Sequence, residues 1–428
     1  MKVREVLFKQ IYDRNEAMLN DLREQLKTSC NEWVLCLGAG VSISAGLPDW
    51  YGLLARITAQ ILPTENSYAL RKNNGEDGTL EEEDEKNSTV SIEQAQTRET
   101  KAFQAGVESF FESMVKLSGD EEYLEKRANA QKGQYKYIFE NINVLESAEY
   151  IRNYIEQELH PDEESGENEE DIEKNINWHI NYFIQQACID SLKYSMDGEE
   201  ITKTTLGAVA RLLKSDHDSI IHDVITYNYD NLLEEYLRKK CKCDSKSVYS
   251  VIKTDPLPRF GNKESWNIYH VHGRIPVFEH EGEKISEQVI LTESDYYKEE
   301  RVNYSWTNTI QSYMLGRANM IFIGFSGTDY NFRRLLKYIN QDSTNLHERY
   351  IFFSVDDIVN AVFNEEIRKG KYIEDCMDEM NQNDDQYAYE KLLINYLIHA
   401  QAMYWLKYGI KVIWTSHEEL PGMLDNLH

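Results

Sequence analysis

The sequence predicts a doubly wound α/β fold, and three observations carry that prediction. An apolar run, Val34 to Leu37, breaks at once into Gly38, Ala39 and Gly40, as a buried strand does when it feeds a nucleotide-binding turn. Short apolar runs recur down the chain, each followed by a polar loop and a stretch with helical spacing, the pattern of a mainly parallel sheet. Four of the strand ends carry residues able to do chemistry: Gly38 to Trp50, Thr226 to Asp230, His272-Gly273, and Gly324 to Asp329. In open parallel sheets, ligands lie beyond the carboxyl ends of the strands. The expected architecture is therefore a Rossmann-like, mainly parallel sheet with a large helical subdomain inserted into it.

Composition narrows the function classes. The chain has 428 residues, which at ~150 residues per domain would make about three domains. It carries 28 Tyr and 7 Trp but only 7 Pro, which favours a folded, helix-rich protein over a linker-rich one. Against 46 basic residues stand 74 acidic ones, for a formal net charge of −28 and a pI near 4.8. Nucleic acid needs a basic stripe, and Arg238-Lys239-Lys240 is too small to supply one. No direct nucleic-acid binding is expected. Cys30, Cys36, Cys188, Cys241, Cys243 and Cys376 are scattered, with no two pairs at zinc-ribbon spacing. Free thiols in a reducing compartment are expected, and no zinc. No apolar segment follows Met1, and no run reaches the ~18 residues of a membrane span. The expected location is cytoplasmic, without a membrane partner.

Taken in order, residues 1–30 read as an N-terminal helix. Leu7 and Ile11, then Leu19, Leu22 and Leu26, recur at three- and four-residue intervals among charges. Such a face packs on its own domain or on a second copy, so a homo-oligomer is a candidate assembly. Residues 31–428 read as the sheet domain, interrupted by a helical insertion over roughly 55–220. Residues 64–100, with Glu81 to Glu85, and residues 160–174, with Glu169-Glu170-Asp171, read as acidic surface loops. Phe103–Leu117, Tyr135–Leu159 and Trp178–Leu192 have helical spacing. The sheet resumes at Asp223–Thr226, followed by a turn over Tyr227–Asp230 and a helix over Asn231–Leu237. Asn267–His272 is the next strand, and residues 289–297 read as a short strand with a helix start. Met320–Ile323, Tyr350–Val355 and Ile410–Trp414 complete the strands, with helices over Phe332–Ile339 and 356–408.

Several side chains admit two readings. Gly38 and Gly40 let the backbone approach a pyrophosphate, with helix N–H groups facing its charge, although Gly46 does not fall at GxGxxG spacing. Asn228 is either a turn residue tolerant of left-handed geometry or a functional amide. Asp230 is an N-cap or a binding carboxylate. Strand alternation would put His270 and His272 on one face, one of them a core histidine and the other a base able to take a proton from water or a hydroxyl. Ser326 and Asp329 are a turn and a cap, or ligands. His217 and His222, in a polar helix-like run, read as surface residues. Arg333 and Arg334 fit a surface or a phosphate site.

The string GAGVSISAGLPDW closely resembles the cofactor-binding signature of the sirtuins, GAGxSxxxGxPDF followed by Arg. Trp50 stands in place of the final aromatic and Tyr51 in place of the arginine. The Thr226-x-Asn228-x-Asp230 turn, the His272-Gly273 pair and Gly324-x-Ser326 resemble the family's remaining blocks, in the same order. The resemblance implies NAD as the ligand, held by Gly38, Ala39, Gly40, Ser42, Pro48, Asp49, Trp50, Asp230, Gly324, Ser326 and Asp329. It implies that Asn228 holds the attacking water beside the nicotinamide ribose and that His272 is the base. Ser326 would contact the adenosine side and Asp329 a ribose hydroxyl. Sirtuin deacylases also carry paired CxxC motifs for a structural zinc beside an acyl-peptide cleft; this chain has none. Arg274-Ile275-Pro276 and the acidic loop after it lack a peptide-binding strand pattern. What remains resembles the sirtuin-like NAD hydrolases of bacterial anti-phage systems, including compact ones that work with a HerA-type hexameric ATPase. That resemblance implies an NAD glycohydrolase releasing nicotinamide and ADP-ribose. An NAD-dependent protein deacylase and a non-catalytic NAD-sensing subunit are the alternatives.

Overall fold

A computed structural model describes residues 9–29, 31–61, 144–159, 168–214, 220–243, 247–253, 265–280, 285–302, 305–342, 347–363 and 388–427. The chain divides into two compact units, Met1–Asp49 with Ser191–His428, and Trp50–Asp190. Helix α1 (Lys9–Thr28), strand β1 (Trp33–Leu37) and the short helix α2 (Ala39–Ile43) open the first unit, and α3 (Trp50–Ile61), α4 (Val144–Leu159) and α5 (Glu169–Ser191) build the second. The first unit then resumes with α6 (Thr205–Lys214), β2 (Ile221–Thr226), α7 (Leu232–Lys239), β3 (Val248–Val251) and β4 (Trp266–His270). Helices α8 (Glu293–Arg301) and α9 (Trp306–Arg317) precede β5 (Asn319–Ile323), α10 (Tyr330–Asp342) and β6 (Arg349–Ser354). The chain ends with α11 (Val355–Val362), α12 (Ala388–Leu406), β7 (Lys411–Thr415) and α13 (Leu420–Asp425).

Among the described residues seven strands form one sheet in the order β3-β4-β2-β1-β5-β6-β7, every pairing parallel. The Rossmann-like α/β expectation holds. Every residue of β1 and β5 is buried, which is why both read as continuous apolar runs and not as alternating ones. One face of the sheet presents Val34, Cys36, Ile225, Tyr269 and Phe322 to a core shared with Phe332 and Trp405. From β1 the chain moves first to β2 on one side and only later to β5 on the other. That reversal is the topological switch point, where α/β sheets open a crevice. The register keeps the strand ends level: Leu37 pairs with both Thr226 and Ile323, and Thr226 pairs with His270. Four polar loops are thereby set side by side.

The structure revises several local expectations. Helix α1 packs on its own sheet: Asn15 accepts from Trp414 N at 2.9 Å, Asp21 accepts from the Tyr350 hydroxyl at 2.8 Å, and Leu19 and Leu22 are buried. Residues 289–292 are irregular, not a strand, because their amides serve the cap of α8: Leu291 N and Thr292 N donate to the Asp295 carboxylate. Residues 169–174, read as acidic loop, are the start of α5, since negative charge is favoured at a helix N-terminus and Glu170 pairs with Lys174 at 2.9 Å. His222 is a half-buried residue of β2, not a surface one. His217, Leu7, Cys30, Cys376, the Glu81–Glu85 run and Phe103–Leu117 lie outside the described residues.

The second unit buries residues at helical intervals, Leu53 and Ile57 on α3, Ile151 and Ile155 on α4, Ile176, Ile180 and Ile184 on α5. Its buried Arg152 donates to Asn177 at 3.0 Å and Glu173 at 2.9 Å. Among the described residues no helix is long and apolar enough to cross a membrane.

Candidate functional site

The loop after β1 docks backbone to backbone on the loop after β5. Gly38 N donates to Ile323 O at 3.1 Å and Gly40 N to Gly324 O at 2.9 Å. A Cβ on Gly38 would sit 2.5 Å from Gly324 O, and Gly324 has a φ of +61°, a conformation that suits glycine. The sequence reading has these glycines let the backbone approach a pyrophosphate, with N–H groups of the following helix facing its charge. In the structure the Gly38 and Gly40 amides are engaged by the end of β5 and the loop after it, because the two segments run too close for anything to lie between them. Replacing Gly38 with Ala is therefore expected to destabilise the protein by roughly 1–3 kcal/mol, read as a lower urea midpoint. The gain of ~0.4–1 kcal/mol from a stiffer unfolded chain is smaller than the cost of forcing apart close-packed backbone.

Asn228 stands two residues beyond β2. Its backbone N–H donates to Thr226 Oγ1 at 3.1 Å. Its side-chain Nδ2 donates to Gly38 O at 3.1 Å and to Ser42 Oγ at 3.0 Å. Among the described non-glycine residues only Lys242 has positive φ, so turn stereochemistry does not explain an asparagine here. Both amide hydrogens are engaged, which leaves Oδ1 as an acceptor for a ligand or water. Ser42 also donates to Asp230. That buried carboxylate accepts Leu232 N at 3.1 Å, one position ahead of the N-cap of α7, which is Asn231. Burial raises its pKa, while the Ser42 hydroxyl and the Leu232 amide oppose the rise. Ser42, Thr226, Asn228, Asp230 and Glu234 line a small cavity here.

The two histidines part company. Strand β4 ends at His270, so alternation does not extend to His272 and the rings do not share one environment. His270 is buried with Nε2 2.8 Å from Glu234 Oε1 and Nδ1 3.3 Å from Asn228 O. It is a core histidine with both nitrogens occupied. Burial pushes the Glu234 carboxyl up, yet the neighbouring His270, Arg274 and Ser250 outweigh it and bring the pKa to about 2. His272 instead lies edge-on to Tyr227 (centroids 4.9 Å apart) and Tyr296 (5.6 Å), with Nε2 3.4 Å from Asp329 Oδ2. Burial lowers its pKa below 6.5, opposed by the Asp329 and Glu299 carboxylates.

Asp329 does two things at once. Its Oδ1 accepts Phe332 N at 2.7 Å, capping α10, and its Oδ2 accepts the Tyr296 hydroxyl at 2.7 Å. Ser326 is exposed, 2.7 Å from Thr328 Oγ1. Arg333 braces the loop by donating to Gly327 O at 2.6 Å, and Arg334 donates to Asn331 Oδ1 at 2.6 Å. Ala39 is exposed and Pro48 and Asp49 are half-buried. Trp50 begins α3, in the second unit.

The sequence-derived residues thus gather into two groups, Gly38–Ser42–Asn228–Asp230 and His272–Asp329. The Tyr227–Asn228 peptide links them, since Tyr227 packs on His272. The level pairing of Thr226 with His270 places Asn228 and His272 each two residues past the sheet. Tyr227, Tyr296, Glu234 and Arg274 were not singled out from sequence. Tyr227 sits inside the recognised turn, while Tyr296 and the buried ion cluster carry no local signal. The described cysteines Cys36, Cys188, Cys241 and Cys243 are free thiols.

Residues 222–376 match the model of the SIR2-like domain. No curated protein matches the chain. The matched segment carries β2, β4 and β5, and with them Asn228, Asp230, His272, Gly324, Ser326 and Asp329. The likeness supports a sirtuin-like unit with NAD-related activity in the broad sense of that superfamily.

Proposed function

We propose, starting from a SIR2-like segment that carries Asn228, His272 and Asp329 at level strand ends, that the chain is an NAD glycohydrolase. That juxtaposition is the observation on which the reading rests. The residues suit the sugar–nicotinamide end of NAD: His272 is a buried imidazole whose Nε2 is turned toward Asp329, and Asn228 Oδ1 is an open acceptor at the end of the neighbouring strand. NAD supplies a ribose–nicotinamide bond whose hydrolysis releases nicotinamide. Asn228, held by Gly38 and Ser42, orients the water. His272, kept neutral by burial, takes the water's proton, a role worth roughly 10²–10⁴-fold in rate. The aromatic walls of Tyr227 and Tyr296 keep bulk water from the imidazole. Depletion of NAD in anti-phage defence, a homo-oligomeric assembly, a HerA-type ATPase partner, a cytoplasmic location and the lack of zinc belong to the same proposal and rest on the sequence resemblance.

The test is incubation of the full chain with NAD, alone and with a co-expressed HerA-type ATPase, measuring nicotinamide and ADP-ribose. Asn228→Ala is expected to lower turnover by about 10²-fold, the order of loss that follows from mispositioning a reacting group. If neither preparation releases nicotinamide, the hydrolase reading fails. Turnover that requires an acylated peptide, with bound zinc by metal analysis, would indicate a deacylase. NAD bound and left intact under every condition would indicate a sensing subunit.

A further inference from the structure

We propose that Asp329 is a positioning residue for His272, holding the imidazole with its proton on Nε2 so that Nδ1 carries the reactive lone pair. As a statement about the reaction this rests on the NAD-cleaving reading; as a statement about the tautomer it stands alone.

Four observations converge on it. First, Nε2 of His272 is buried and makes no hydrogen bond among the described residues, and Asp329 Oδ2, 3.4 Å away, is the carboxylate in ionic reach. A separation that long is loose for a hydrogen bond, but catalytic contacts often tighten only when substrate binds. Second, the carboxylate is clamped at both oxygens, Oδ1 by Phe332 N and Oδ2 by the Tyr296 hydroxyl, each at 2.7 Å. Capping α10 needs one oxygen; the other is left to face the ring. Third, Tyr227 and Tyr296 both meet the ring edge-on, with interplanar angles of 84° and 82°, so the imidazole plane is confined. Fourth, His270 shows the contrast: both its nitrogens are within 3.3 Å of a partner oxygen, and it has none to offer. A proton on Nδ1 of His272 would turn a bare lone pair on Nε2 toward a carboxylate, which repels it; a proton on Nε2 is attracted. The neighbouring tyrosines are held protonated by burial and by the Asp329 charge, far above their ordinary pKa, so Tyr296 remains a donor to Asp329 and does not compete as an anion.

Asp329→Asn separates this role from the cap, because asparagine caps helices about as well as aspartate. The expected result is a fall in the kcat of nicotinamide release of roughly 10²-fold or more, the kind of loss seen when a histidine base is left in the wrong tautomer. The acid limb of the pH profile should move to lower pH, because Asp329 is the larger of the two carboxylate influences raising the His272 pKa, ahead of Glu299. Selective ¹⁵N-histidine NMR of the full chain, with the His272 signal assigned by its loss in His272→Ala, should report an Nε2–H imidazole in the wild type and a shifted or mixed tautomer in Asp329→Asn. Tyr296→Phe, which removes only the donor to Oδ2, should give a smaller change in the same direction. An unchanged tautomer together with an unchanged kcat in Asp329→Asn overturns the proposal. If the wild type releases no nicotinamide, the NAD-cleaving reading fails by itself, and the tautomer measurement still decides the role of Asp329.

Discussion

Replacing His272 with Ala is expected to reduce nicotinamide release by about 10²–10⁴-fold, the range for loss of a positioned general base, with a much smaller change in NAD affinity. The imidazole is buried between Tyr227 and Tyr296, so truncation also opens a cavity. The two effects are separable. A cavity lowers the urea midpoint, and the stability loss cannot by itself lower kcat at denaturant-free conditions where the variant remains folded. The pH dependence gives an independent check. Burial lowers the His272 pKa from 6.5, and the opposing carboxylates do not restore it. Neutral imidazole, the form that accepts a proton, therefore predominates above this depressed value. The acid limb of turnover should therefore be centred below 6.5. An acid limb centred above 6.5 would contradict the assignment of His272 as the base.

The largest effect on stability is expected at Glu234. Its carboxylate is fully buried and receives His270 Nε2 at 2.8 Å, the Ser250 hydroxyl at 2.8 Å and Arg274 Nε at 3.5 Å. Glu234→Ala removes the anion that buried His270 and Arg274 share. Breaking a buried ion cluster from one side costs about 3–5 kcal/mol, a large share of the ~5–15 kcal/mol by which domains are folded. Urea denaturation at neutral pH would show it, and a midpoint unchanged within error would refute it. The wild type should reveal the same interaction on acidification. The folded pKa is depressed from 4.5 to about 2. The stabilisation is thus fully present above pH 4.5 and is lost as pH falls toward 2. In the Ala variant that portion of the acid sensitivity should disappear. Because His270 Nδ1 also faces Asn228 O, loss of Glu234 is expected to loosen the turn that carries Asn228.

Much of this was legible before any coordinates. The runs Val34–Leu37 and Met320–Ile323 declared themselves as doubly covered strands because a parallel strand buried on both faces has no polar alternation to confuse it. The turn Thr226–Asp230 and the loop Gly324–Asp329 were recognisable because glycine, asparagine and aspartate act within a few residues of themselves. Other features were not legible. Strand β3, with Tyr249 exposed and Ser250 half-buried, is a short edge strand whose apolar content is too slight to stand out. Residues 289–292 have strand-like composition, yet their amides turn to Asp295 to cap a helix.

From the sequence alone came the α/β class, the order of the four polar loops and the presence of an asparagine and a histidine at two of them, all of which rest on interactions between near neighbours in the chain. Which histidine is occupied and which is open was decided only in three dimensions. The ladder between β2 and β4 stops at Thr226 and His270, and that stop releases His272 from the pleat to meet Asp329, Tyr296 and Tyr227. Those partners lie 57, 24 and 45 positions away in the chain, and nothing in a local pattern selects a contact across such spans; packing of the assembled sheet and its helices does.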